Sequence, residues 1–264
     1  MTYTESLQCE TDEIFFETGA YRKPNRKTKR DARRNNRQRT QKPKNLELIQ
    51  IRPMTGTQAN VFDSFSIGQN LMLHGVAGTG KTFLAMFLGL TEVIDRDMPA
   101  KSLHIIRSTV STRDMGFQKG TASQKIEVYE NPYSSICAEL FNRGDAYSNL
   151  KQKNIINFYS TAFIRGISID DAIIVVDECQ NMSEMELHSI ITRVGKNTKI
   201  MFCGDFRQDD LTSKRYNEES GITKFMKILD RMESFDMIDF KVEDIVRSGL
   251  VREYIEARIE LGID

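Results

Sequence analysis

The segment Gly75–Thr82 reads Gly-Val-Ala-Gly-Thr-Gly-Lys-Thr and constrains the chain more than any other. It fits G-x-x-x-x-G-K-[ST], the phosphate-binding loop. Average composition would place that pattern by chance in roughly one chain of this length in a hundred. The flanks supply the required context. Leu71–His74 has the pattern of a short buried strand, and Thr82–Leu90 is apolar at helical spacing through Phe83, Leu84, Phe87 and Leu88. Gly78 and Gly80 let the backbone curl so that successive N–H groups point at phosphate oxygens. The dipole of the following helix adds partial positive charge there. Lys81 brings a full charge to the β- and γ-phosphates, and the Thr82 hydroxyl is a ligand for Mg²⁺. Gly75, Val76, Ala77, Gly78, Thr79, Gly80, Lys81, Thr82 and Phe83 are thus the candidate nucleotide-binding segment. The competing reading is a glycine-rich helix N-cap with no ligand.

At 264 residues, 28% charged and 39% hydrophobic, the chain is expected to form one domain plus extensions. No apolar run approaches the roughly 20 residues of a membrane span, and the acidic start lacks the basic and apolar regions of a signal peptide. Cys9, Cys137, Cys179 and Cys203 are scattered, with no C-x-x-C. That suits a reducing cytosol and argues against zinc or a disulfide framework, so these residues are expected to fill space. The formal net charge of zero hides an asymmetry. Residues 1–21 hold five acids and no Lys or Arg, and residues 22–44 hold twelve Lys or Arg and one acid, Asp31. The remaining 220 residues carry 25 basic and 31 acidic side chains. Residues 1–44 therefore form an acidic, then basic N-terminal arm, too poor in apolar residues over 22–44 to pack and expected to be disordered. The basic part is either an electrostatic contact for nucleic acid phosphates or a solvated tail that folds back on its acidic neighbour. It contains no aromatic residue for base stacking.

Beyond the arm, 45–264 alternates strand and helix patterns, which points to an α/β fold: a mostly parallel sheet with helices on both faces. Leu46–Ile51 has the look of a short strand ended by Pro53, and Thr57-Gln58 opens a helix. Gln58 can pair with adenine at N6 and N7, with Val61 and Phe62 as an apolar wall for the base; otherwise it is a surface helix residue. Ser102–Arg107 reads as a strand, Ser108–Ser123 as a long loop, about 134–142 as a helix, and Gly144–Lys153 as a polar turn closing an insertion of about 112–153. Ile155–Tyr159 is the next strand. Ala172–Val176 is an unbroken apolar run ending in Asp177-Glu178, as expected of a fully buried strand with acids at its carboxyl end. There Asp177 suits the Mg²⁺ shell and Glu178 suits accepting a proton from an attacking water. The competing reading makes the pair part of a helix N-cap. Met182–Arg193 reads as a helix, Lys199–Cys203 as a strand, and Gln208 beyond it as either a γ-phosphate sensor or loop filler. About 217–232 reads as a helix, Phe235–Lys241 as a strand, and Leu250–Leu261 as the closing helix.

Five blocks together resemble the PhoH-like ATPases, a phosphate-starvation-inducible family related to superfamily 1 helicases. They are Gly75–Thr82; Ile105–Val110 with Met115-Gly116-Phe117, Gly120, Lys125 and Val128–Tyr133; Phe163-Ile164-Arg165-Gly166 with Val175–Asn181; Thr192–Gly195 with Cys203-Gly204-Asp205, Gln208 and Leu211; and Val242–Ser248 with Leu250-Val251. The resemblance covers roughly 50–255 and extends to the short phage-encoded members. It implies a RecA-like P-loop NTPase core and ATP as ligand, in a cytoplasmic protein of bacterial or phage origin that assembles as a ring of identical subunits, a hexamer among the possibilities. It also implies Gln58 at the adenine, Gln180 near the γ-phosphate, and Arg247 as an arginine finger or sensor. There are departures. The family's Arg-Pro is Arg107-Ser108 here, its Gly-Phe-Leu-Pro-Gly is Gly116–Gly120 with Gln118 and Lys119, and its R-G-R-T is Arg165–Ser168 with one arginine missing. These changes spare the ATP chemistry and put the polynucleotide contacts of those loops in question. The arm has no room for the nuclease-like N-terminal domain of some members.

The expectation is an ATPase using Mg²⁺, coupled to RNA or single-stranded nucleic acid, in which Lys81, Glu178, Gln208 and Arg247 carry the chemistry and Thr82 and Asp177 hold the metal. The alternatives are a non-catalytic, nucleotide-gated RNA-binding scaffold and a small-molecule kinase.

Overall fold

The computed structural model describes residues 47–108, 122–161, 164, 166, 168–206, 221–247 and 249–262. The expected arm lies outside these residues, as do most of the long loop after Ser108, and Gln208.

Six strands form one parallel sheet in the order β3-β2-β4-β5-β1-β6: β1 Asn70–Gly75, β2 Ser102–Arg107, β3 Ile156–Ser160, β4 Ala172–Asp177, β5 Lys199–Gly204 and β6 Phe235–Phe240. All six residues of β4 are buried. This follows from its place between β2 and β5, covered on both faces, and explains why its sequence is continuously apolar rather than alternating. Alternate residues along the strands, β4 included, go to two cores. Leu71, Leu73, Leu103, Ile105, Ile173 and Val175 face one side, and Met72, Ile106, Ile174, Val176, Ile200 and Phe202 face the other.

The first core is covered by α1 (Gly56–Ser66), α2 (Lys81–Ile94), α3 (Ala122–Leu140) and α4 (Ala146–Gln152). The second is covered by α5 (Glu184–Ile191) and α6 (Gly221–Leu229). Two helix starts have a side-chain cap. Thr55 caps α1 by accepting from the Gln58 N–H. Ser183 and Glu186 form a reciprocal capping box at α5. Helix α7, Gly249–Glu260, closes the described chain with no fully buried residue. The strand β5 stands between the phosphate-loop strand β1 and the acid strand β4. This is the RecA-like P-loop arrangement, and it brings Gly75 and Asp177 to the same carboxyl edge of the sheet.

Three local expectations are corrected. Residues 47–51 form no strand; the Ile49 N–H donates to the Leu140 carbonyl at the end of α3, and Leu48 and Ile51 pack on the first core. Helix α3 begins at Ala122, well before the expected start at about 134, and runs through Pro132. A proline inside a helix costs one backbone bond and a clash, and burial of Tyr133, Cys137 and Leu140 offsets that cost here. The supposed polar turn contains α4. Its Tyr147 and Leu150 are buried at helical spacing, and Asp145 before it is held by Arg143 and Asn149. Three apolar residues in a seven-residue helix leave too weak a periodicity to see in sequence.

Candidate nucleotide site

The loop after β1 depends on three left-handed glycines, Gly75 at φ 117°, Gly78 at 78° and Gly80 at 87°. At Gly75 an added Cβ would lie 2.1 Å from the Phe240 carbonyl oxygen, so only glycine allows the loop to leave the sheet beside β6. The Val76 N–H then donates to that carbonyl at 2.9 Å. Gly80 opens α2, whose first turn points its unpaired N–H groups into the loop. Lys81 is 4% exposed and folds back across the loop. Its ammonium donates to the Val76 carbonyl at 2.7 Å, the Gly75 carbonyl at 3.3 Å and Thr79 Oγ1 at 3.2 Å. It also pairs with Asp205 Oδ1 at 2.9 Å.

At the tip of β4, Asp177 is buried and accepts two hydrogen bonds. Thr82 donates to Oδ1 at 2.7 Å and Tyr133 to Oδ2 at 2.7 Å. Glu178 takes a left-handed conformation, φ 54° and ψ 42°, which costs a non-glycine residue about 1–3 kcal/mol. Its carboxylate accepts from Gln180 Nε2 at 2.7 Å and pairs with Arg107 Nη2 at 3.7 Å. Burial and the Asp177 charge hold the Glu178 carboxyl above the ordinary range, and Arg107 opposes them. Burial and Asp177 likewise keep the Tyr133 phenol protonated, so it remains a donor. The Gln180 side-chain Oε1 accepts from the Asp205 backbone N–H at 3.2 Å. The polar contacts thus run from Lys81 through Asp205, Gln180, Glu178 and Arg107 toward Tyr133, Asp177 and Thr82.

Most candidate residues meet at this edge. Val76 and Thr79 are buried within the loop, and Ala77 is exposed at its tip. Gln58 is buried, with its amide nitrogen donating to the Thr79 carbonyl at 3.2 Å and its oxygen accepting from the Met54 N–H at 2.9 Å. Both ends of this amide are therefore held by backbone. Val61 is fully buried, and Phe62 and Phe83 pack against the core, with the Phe62 ring 5.9 Å from that of Phe87. Of the expected apolar wall, Val61 is interior and Phe62 is half-buried. Arg247 stands over the phosphate loop of its own chain. A Cβ on Gly78 would lie 3.1 Å from Arg247 Cγ, and the Val246 N–H donates to the Gly78 carbonyl at 3.2 Å. Sequence reasoning missed the parts played here by Tyr133, Arg107 and Asp205. All three lay inside quoted motifs, but nothing in the sequence paired Tyr133 with Asp177; a buried tyrosine needs a partner without the sequence saying which.

The donor set fits magnesium. Thr82 and Asp177 are hard oxygen donors in mutual contact beside the lysine. Mg²⁺ is usually held by one or two carboxylates plus substrate phosphates. No cluster of three or more His, Cys, Asp or Glu suited to a metal occurs among the described residues, which is compatible with that mode. Among the described residues the cysteines are interior: Cys137, Cys179 and Cys203 are free and buried, and burial pushes the Cys137 thiol up to about 12. No helix among the described residues is long and apolar enough to cross a membrane.

Similarity to known proteins extends over this core. A PhoH-like protein of Mycobacterium leprae is 29% identical over 211 residues, covering 80% of this chain and 59% of the relative. A PhoH-like protein of Bacillus subtilis is 29% identical over 184 residues, covering 69% and 56%. The chain thus spans little more than half the length of these curated relatives. Among solved structures, the large terminase of a thermophilic bacteriophage in complex with ADP superposes with a TM-score of 0.48 at 15% identity, covering 77% of this chain and 50% of that one. The family model described as PhoH-like protein matches residues 50–258, and the chain belongs to that family.

Proposed function

We propose that the chain is an ATPase that uses Mg²⁺ and couples hydrolysis to RNA or single-stranded nucleic acid. The observation that carries this reading is the division of labour at the tip of β4. Asp177 accepts from Thr82 beside the phosphate loop, while Glu178, in its strained turn, is held by a different set of partners, Gln180 and Arg107. A protein that only bound nucleotide would need the first carboxylate and not the second.

In this reading the loop N–H groups and Lys81 hold the β- and γ-phosphates, displacing Asp205 from the ammonium. Thr82 and Asp177 would hold Mg²⁺, which when bound neutralises developing charge on the phosphates. Glu178 takes the proton from the attacking water; its raised affinity for protons suits that role. Gln180 and Arg107 orient it. Gln208 contacts the γ-phosphate, and Arg247 offsets transition-state charge, a role worth orders of magnitude in rate in related chemistry. Superfamily 1 helicases close such a site between two RecA-like domains. A neighbouring subunit would supply the second wall here, which is the physical case for a ring, with a hexamer the form the resemblance implies.

Glu178→Gln tests the proposal. It keeps ATP binding and lowers turnover by about 10²–10⁴-fold, the usual worth of a general base. Equally poor hydrolysis by wild type and variant would instead support the scaffold. Assays with single-stranded RNA, single-stranded DNA and duplexes then identify the coupled polymer.

A further inference from the structure

Tyr133 lies on α3, the crossover helix between β2 and β3, far in sequence from the loop and the acid pair. It is fully buried, and its ring packs at 5.9 Å and 41° against Phe158 of β3. A buried phenol needs a hydrogen-bond partner, and any nearby backbone carbonyl would serve. The partner here is Asp177 Oδ2 at 2.7 Å, while Thr82 holds Oδ1 at 2.7 Å. Two donors on different oxygens fix the rotation of a carboxylate; one donor leaves its plane free to turn.

The alternative partner for Asp177 stands close by. Arg107, at the end of β2, is the register partner of Asp177 across the sheet. It interacts electrostatically with Tyr133, Asp177 and Glu178 and hydrogen-bonds the Tyr133 side chain. Its ion pair, however, is to Glu178, at 3.7 Å. The Tyr133 hydroxyl thus stands between Arg107 and Asp177, hydrogen-bonded to both, in place of a direct Arg107–Asp177 pair. Such a pair would pull Asp177 from Thr82 and Arg107 from Glu178 together.

We propose that Tyr133 is a positioning residue for the metal side of the site: its hydroxyl holds Asp177 toward Thr82 and bars it from Arg107. The proposal rests on the reading of this edge as a magnesium–nucleotide site. Groups that orient metal-holding side chains are typically worth about 10–100-fold in metal affinity.

The test is binding of a fluorescent ADP analogue to the full chain, with Mg²⁺ and with EDTA. The ratio of the two affinities is the readout, and the thermal midpoint without nucleotide is the control. In Tyr133→Phe the ratio falls by about tenfold, with EDTA affinity and thermal midpoint near wild type. Adding Arg107→Gln to that variant removes the competing partner and restores most of the ratio. Phe158→Leu loosens the ring's packing but keeps the hydroxyl, so it lowers the thermal midpoint and leaves the ratio unchanged.

An unchanged ratio in Tyr133→Phe overturns the proposal. So does an equal loss with and without Mg²⁺, a tenfold loss reproduced by Phe158→Leu, or failure of Tyr133→Phe to fold. A wild-type ratio of one would sink the site reading itself, whereas a wild-type ratio kept intact by Tyr133→Phe sinks only the role of the hydroxyl.

Discussion

Lys81 has three acceptors inside the loop and one outside it, the carboxylate of Asp205. The loop acceptors are backbone and hydroxyl groups that tolerate an added phosphate. Asp205 is an anion competing with phosphate for the same ammonium. Removing its charge should therefore strengthen phosphate binding. Asp205→Asn is expected to tighten ADP binding about two- to fivefold, corresponding to about 0.5–1 kcal/mol for a half-exposed ion pair. Calorimetric titration checks this, and weaker binding would show that Asp205 serves the nucleotide rather than competing with it. Gly75 makes the opposite case, where nothing can give way. Its φ of 117° and the Phe240 carbonyl 2.1 Å from an added Cβ predict that Gly75→Ala costs about 3 kcal/mol or more, seen as a lower denaturant midpoint.

Among the elements, β2 and β3 carry a pH dependence. His104 on β2 stacks on Tyr159 of β3 at 5.5 Å and 4°, and its Nε2 lies 2.8 Å from Ser102 Oγ. Burial lowers its pKa from 6.5 to about 4. Between those values the unfolded chain binds a proton that the folded chain does not. The stability from a neutral His104 is therefore complete above pH 6.5 and is lost as pH falls toward 4, on the order of 3 kcal/mol across that window. Buried His74, stacked on Phe206, has its pKa lowered by burial, which acts in the same direction. Denaturation of His104→Gln at several pH values should show a flatter slope than wild type between pH 6.5 and 4. Helix α3 links this part of the sheet to the site, because Tyr133 and Phe158 pack together below Asp177.

At the scale of the whole molecule, two predictions concern what the chain meets. If a neighbouring subunit completes the site, hydrolysis per subunit rises with protein concentration; a flat dependence for a demonstrated monomer counts against this. If residues 22–44, with twelve Lys or Arg, contact polynucleotide phosphates, deleting 1–44 weakens nucleic-acid binding. It also flattens the salt dependence by about 0.7 log units per lost phosphate contact on single strands. An unchanged slope would assign the arm another task. Sequence alone was enough for the phosphate loop, the buried acid strand and the parallel α/β class, because each is written in contiguous residues whose spacing matches one local geometry. The course of α3 through Pro132 and the small helix α4 were hidden, because burial against neighbouring elements outweighed local propensity there. Only the tertiary structure decided that Tyr133 would meet Asp177, that Asp205 would hold Lys81, and that Arg247 would stand over its own Gly78. Those pairings join residues on separate strands, helices and loops, and only the strand order of the sheet brings them within hydrogen-bonding range.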